Sequence, residues 1–133
     1  MKTELIIGDS ASLTKVFTDA DVRAFSDLSL DVNPLHLDES YAKESIFGGR
    51  IVHGMLVASL FSAILANQLP GEGSIYLGQS LSFKAPIYLG DEITATVEII
   101  KIRPDKPIIT LATTATNTEG VVVIEGEAVV KAD

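Results

Sequence analysis

The stretch HGMLVASLFSAILANQL, residues 53–69, decides the fold. Met55, Leu56, Val57, Ala58, Leu60, Phe61, Ala63, Ile64 and Leu65 fall on every side of a helical period and leave no polar face. A helix that is apolar all round either spans a membrane or lies enclosed by other elements. The apolar part is shorter than the roughly 20 residues a bilayer requires, and Ser59, Ser62, Asn67 and Gln68 interrupt or end it. The reading is one long central helix, buried on every side.

The segments around it supply what encloses it. After PGEG (70–73), the stretch SIYLGQSLSF (74–83) places Ile75, Leu77, Leu81 and Phe83 on one face, and Lys84-Ala85-Pro86 breaks the run. DEITATVEIIKIR (91–103), PIITLATTATN (107–117) and VVVIEGEAVVK (121–131) follow as strands, joined by PDK and TEG. Connections that short join antiparallel neighbours and leave no room for a helical crossover. Upstream, ELII (4–7) and LTKVF (13–17) are strand candidates. TDADVRAFSDLSL (18–30) has helical spacing and a Thr18/Asp21 capping box. A second short helix is expected in DESYAKESIF (38–47), with Asp38 as N-cap and Gly48-Gly49 ending it. The expected architecture is α+β: a four-stranded antiparallel meander plus an N-terminal strand, wrapped around one helix, in one domain over residues 1–133.

A formal net charge of -8 argues against nucleic acid as a partner, since phosphate contacts need a basic surface. The chain has no cysteine, hence no disulfide framework, thiolate metal site or cysteine nucleophile. MKTELIIGDS carries no long apolar run followed by small residues, so no secretory signal is read. These features fit a cytoplasmic protein with no membrane association.

Chemistry concentrates in SLDVNPLHLDESYA, residues 29–42, where Asp31, Asn33, His36 and Asp38 fall within eight positions. One reading is structural, because Asn before Pro favours a turn and Asp31 and Asn33 can bond their own backbone there. The other is catalytic. Leu28, Leu30, Leu35 and Leu37 are expected to press the loop on the core, where a carboxylate and an imidazole must be paired or used. Five residues apart across a proline-fixed turn, Asp31 and His36 can converge on one water, with imidazole poised to move its proton. His36 and His53 are the only histidines, and no HxxxH-like pair or further ligand marks a metal site. No GxSxG elbow or phosphate loop occurs.

RIVHGML, residues 50–56, is the second place. His53-Gly54 stands where the central helix begins, and the first backbone N–H groups of a helix have no internal partner. Glycine admits a ligand close to that backbone, so Gly54 can serve an oxyanion, or it can simply let the chain pack tightly. His53 reads as structural and neutral.

SLDVNPLHLDESYA, IVHGMLVASLFSAIL and GSIYLGQSLSFKAPIYLGDEI, in that order, resemble the (R)-specific enoyl-CoA hydratases, the MaoC-like branch of the hot dog fold. The Asp-x-Asn-Pro-x-x-His spacing is the specific part. Leu30 departs from the pattern, which often has Gly there. The resemblance implies a homodimer and reversible syn hydration of trans-2-enoyl-CoA, as in short bacterial enzymes feeding polyhydroxyalkanoate synthesis. It casts Asp31 and His36 as the catalytic pair, the Gly54 N–H as donor to the thioester carbonyl and Asn33 as an orienting residue. No metal, flavin or nicotinamide cofactor is implied. On the same scaffold, an acyl-CoA thioesterase or a non-catalytic acyl-binding subunit is the alternative.

If the carbonyl sits at Gly54 and the acyl chain follows the helix, the face presents Ala58, then Phe61 or Ser62, then Leu65. Small Ala58 and Ser62 leave room, and Leu65 closes the pocket. That favours enoyl chains of about four to six carbons, given a rise of roughly 1.5 Å per residue. Arg50, Lys84, Arg103 and Lys106 are the basic candidates for coenzyme A phosphates, or are solvated surface charges.

Overall fold

The structure, a computed structural model, describes residues 4–132. β1 (Ser10–Val16) leads into α1 (Asp19–Ser29), a helical turn α2 (Pro34–Leu37), the short α3 (Glu39–Lys43) and the central α4 (Gly54–Asn67). β2 (Ile75–Gln79), β3 (Ser82–Phe83), β4 (Glu92–Ile102), β5 (Ile108–Thr116) and β6 (Val122–Lys131) complete it. One antiparallel sheet runs β1-β4-β5-β6-β2, with β3 also on β6, and curls around α4. This is the hot dog arrangement.

Period-two alternation explains the sheet's concave face. Ile93, Ala95, Val97 and Ile99 of β4 and Ile109, Leu111 and Ala115 of β5 are buried beneath Val57, Leu60, Phe61 and Ile64 of α4. Burying each large side chain stabilises by about 1.5–3 kcal/mol, and truncating Phe61 would cost about 3–5 kcal/mol. On α1, Thr18 accepts the Asp21 N–H (3.2 Å) while Asp21 accepts the Thr18 N–H (3.0 Å), completing the expected capping box.

Five expectations are corrected. ELII is not a strand: Gly8 takes φ +100°, and Asp9 Oδ2 accepts the Ile6 N–H, so the chain turns there. SIYLGQSLSF is two strands, because the Ser80 carbonyl bends onto β6 at Gly126, where a Cβ would lie 1.9 Å from that oxygen. The meander has three strands, β4 to β6; β2 pairs with β6 instead of β4. A further helical turn, α2, forms inside the Asp/Asn/His cluster, and α3 stops at Lys43, where Ser45 Oγ and N–H both bond the Ala42 carbonyl.

The fifth concerns α4. It is enclosed on most sides, but Met55, Ser59, Ser62 and Ala66 form an exposed stripe. Their spacing of i, i+4, i+7 and i+11 is one helix face. Ser59 and Ser62 read as interruptions of an apolar helix and in fact mark its open side.

Candidate active site

The site begins where α1 ends. Leu30 sits in the left-handed region at φ 68°, its N–H donating to the Ser26 carbonyl (2.9 Å), and swings the chain into Asp31. Asp31 N–H donates to Ser29 Oγ (3.2 Å), and Asn33 N–H donates to Asp31 Oδ1 (3.2 Å). Asn33 Oδ1 then accepts the Leu35 N–H (3.0 Å), capping α2, whose first residue is Pro34. The turn-forming and the catalytic readings of the cluster thus use the same residues: the local bonds aim Asp31 and His36.

The expected packing of this loop on the core is only half correct. Leu28 and Leu30 are exposed, as is Asp31, while Leu35 and Leu37 are half-buried and His36 is buried. His36 Nδ1 lies 2.8 Å from the Ile51 carbonyl. A carbonyl only accepts, so Nδ1 carries the hydrogen, and Nε2 of the neutral ring is a lone pair. Arg50 fixes the turn from behind, donating from Nε to the His36 carbonyl (2.7 Å) and from Nη2 to Asp19 Oδ1 (2.5 Å). That guanidinium, then Arg23, holds the Asp19 carboxyl below its ordinary value. Arg50 is a structural strut here. Arg103 pairs with Asp105 (3.1 Å), whereas Lys84, exposed and 3.4 Å from Glu125, borders the cavity described below.

His53 caps α4 and is buried at 2 % exposure. Its ring stacks on His36, with centroids 3.8 Å apart, and meets the Phe25 edge at 4.8 Å. Nε2 lies 3.0 Å from Ser26 Oγ and 3.3 Å from the Asp31 carbonyl, while Nδ1 has no partner among the described residues. Burial, then the neighbouring His36, lowers its pKa against the smaller opposing pull of Asp31. Neutral His53 is therefore the favoured form, as the sequence suggested.

Leu56 and Val57 N–H donate to the His53 carbonyl, and the Gly54 and Met55 N–H groups have no acceptor among the described residues. A Cβ on Gly54 would lie 2.4 Å from the Phe83 ring, so this backbone is pressed close to a wall. Tight packing and N–H groups without an acceptor among the described residues thus coincide at Gly54. Asp31, His36, His53, Gly54, Phe83 and Lys84 line a cavity of about 450 Å³.

Donor atoms of Asp31, His36 and His53 lie within 4.8 Å of one another. Imidazole lone pairs lie in the ring plane, and the two stacked rings are inclined by only 26°, so they point side by side instead of converging on an ion. That arrangement does not suit a tetrahedral metal.

The model of the MaoC like domain family matches residues 7–121. The chain belongs to that family. This MaoC-like domain is 57% identical to the "(R)-specific enoyl-CoA hydratase" of Aeromonas caviae over 127 residues, covering 96% of this chain and 95% of that one. It is 50% identical over 123 residues to the enzyme of that name from Rhodospirillum rubrum, covering 92% of this chain and 85% of that one. The solved (R)-hydratase from A. caviae, described as involved in PHA biosynthesis, superposes with a TM-score of 0.95 at 56% identity, covering 97% and 98% of the two chains.

Beyond the Asp31/His36 cluster of this MaoC-like domain, two further cavities follow the open stripe of α4. Met55, Ala58, Ser59 and Ser62 border one of about 430 Å³ against β2, and Ser62, Leu65, Tyr76 and Val130 border one of about 130 Å³. Phe61 faces the core instead. Sequence reasoning did not anticipate Phe83 as a wall, Val130 beside Leu65, or the contacts of His53 with Ser26 and Asp31. One signal was available: Ser26 stands four residues after Val22 on the buried side of α1, where a hydrophobe would be expected.

Proposed function

We infer that this chain is an (R)-specific enoyl-CoA hydratase, adding water reversibly to trans-2-enoyl-CoA to give (R)-3-hydroxyacyl-CoA. The observation that carries this is the convergence of Asp31, His36 and the unpaired Gly54 N–H on one cavity. The near-full-length identity to the relatives of that name supports the substrate class.

The thioester carbonyl accepts the Gly54 N–H at the positive end of α4. Electron density drawn onto that oxygen makes C3 electrophilic and stabilises the developing enolate; losing one such donor typically costs ~10²–10³ in rate. Asp31 and the His36 Nε2 lone pair hold one water between them. The pair takes a proton as the water oxygen bonds to C3, and a proton is delivered to C2. Both arrive from the side of the pair, which makes the addition syn. The two groups act as a unit, so base and acid are properties of the pair. Asn33 holds the carboxylate through its backbone N–H and keeps α2 in place through its side chain.

The acyl chain runs from Gly54 past Met55 along Ala58 and Ser62, and Leu65 closes the end. The enzyme works as a homodimer. Ile75, Tyr76 and Leu77 of the edge strand β2 are exposed beside the open stripe of α4, whereas the opposite edge, β1, exposes Ser10, Ser12 and Thr14, with Val16 at its end. An apolar strand edge of that kind needs covering. The setting proposed is cytoplasmic; among the described residues no helix is long and apolar enough to cross a membrane. The product serves as monomer for polyhydroxyalkanoate, drawn from fatty-acid oxidation; the likeness to the A. caviae (R)-hydratase, described as involved in PHA biosynthesis, supports this reading.

Crotonyl-CoA tests the reaction class when enoyl absorbance and free thiol are followed together. Loss of absorbance without thiol is expected. Release of thiol would mean a thioesterase, and neither change would mean a binding subunit.

A further inference from the structure

We propose that His53, anchored by Ser26, is a positioning residue that holds Asp31, His36 and the Gly54 N–H in register with one another. Its role in turnover rests on the hydratase reading; its geometry does not. One buried residue touches every part of the site. Its ring lies flat on His36, its Nε2 reaches the Asp31 carbonyl, and its own carbonyl accepts the first N–H bonds of α4, directly before Gly54. Phe25 and Ser26 hold it from α1.

The hydrogen-bond inventory fixes its form. The Asp31 carbonyl can only accept, so Nε2 carries the hydrogen and shares it with Ser26 Oγ. Nδ1 is then a bare, buried lone pair, in keeping with its lack of a partner. The titratable groups around the ring are His36 and Asp31 on the catalytic segment and Lys84 across the cavity; α4 contributes none. Phenylalanine would keep the stack on His36 and lose the tether to Asp31. Glutamine would keep a tether and lose the stack. Histidine alone supplies both, and at 2 % exposure its ring is walled off from bulk solvent while doing so.

The chain has two histidines, so nitrogen-15 spectra of the labelled full-length protein contain four ring nitrogens. Wild type should show His53 protonated at Nε2 and His36 at Nδ1. In Ser26→Ala the His53 pair should shift toward averaged tautomers, and the His36 signals should move with it. With crotonyl-CoA, kcat should fall by about tenfold or more with KM within about twofold, as expected when reacting groups are slightly misplaced. Unchanged ring signals, or kcat within about twofold of wild type, would overturn the proposal. Should Ser26→Ala fail to fold, His53→Phe carries the same kcat and KM split. Failure of both to fold would assign the pair to stability alone and also overturn the positioning role. A wild type with these tautomers but no hydration would refute the hydratase reading and leave the geometry standing.

Discussion

The imidazoles of His36 and His53 lie face to face, 3.8 Å between centroids, although one stands on α2 and the other caps α4. Two charged rings at that distance would repel. Burial and this neighbour together hold the His53 pKa below its ordinary 6.5. The stack therefore ties the stability of the folded protein to pH.

Below about pH 6.5 the unfolded chain binds a proton at His53 that the folded protein does not, so stability rises with pH there. The contribution is fully present above about 6.5 and is lost as pH falls from there through the lower folded-state value. The urea midpoint should thus be lower at about pH 5.5 than at about pH 7.5, with a smaller difference in His53→Gln. The carboxyls of Asp19 and Asp21, held below 3.8, lose their contribution only in more acid solution. An undiminished difference in the variant would contradict this assignment.

Much of this was legible in the chain. The apolar run from Met55 to Leu65 demanded enclosure, the strands from Glu92 to Lys131 alternated on schedule, and Asp31, His36 and Gly54, singled out in the sequence, line one cavity. What stayed hidden depended on tertiary contact. Nothing local shows that the Ser80 carbonyl needs the space over Gly126, and so a continuous alternation was read through a break. His53 was read as structural and neutral from its place at the helix start, and its contacts stayed hidden because Ser26 and Asp31 come from other elements. The open face of α4 was written in Ser59 and Ser62, but small polar residues look alike whether they meet solvent, a ligand or another chain.

Leu30 is the described non-glycine residue at positive φ. The left-handed conformation costs an L-residue about 1–2 kcal/mol, part of which glycine returns as unfolded-state entropy. Leu30→Gly should raise stability by about 0.5–1 kcal/mol, seen as a higher urea midpoint with unchanged slope. A lower midpoint would show that Leu30 makes a contact outweighing its backbone.

Leu65 is buried and borders the last cavity along α4, beside Val130 and Ser62. Leu65→Ala should raise the ratio of specificity constants for octenoyl-CoA over crotonyl-CoA. It should also destabilise the protein by about 2–5 kcal/mol if the space stays empty. An unchanged ratio would mean that the acyl chain does not follow this face.

Sedimentation equilibrium at micromolar concentration should show a dimer, because β2 presents Ile75, Tyr76 and Leu77 on an unpaired edge. A fully active monomer would remove the proposed interface.

Asp31 and His36 carry the central claim, and near-isosteric replacement tests it most directly. Asp31→Asn and His36→Gln keep shape while removing the groups that bind and move the water proton. Turnover of crotonyl-CoA by each variant, with circular dichroism unchanged, should fall by at least about a hundredfold, the lower range for positioned acid–base groups. A folded variant keeping more than about a tenth of wild-type turnover would contradict the account, since a group worth so little is no part of the catalytic pair.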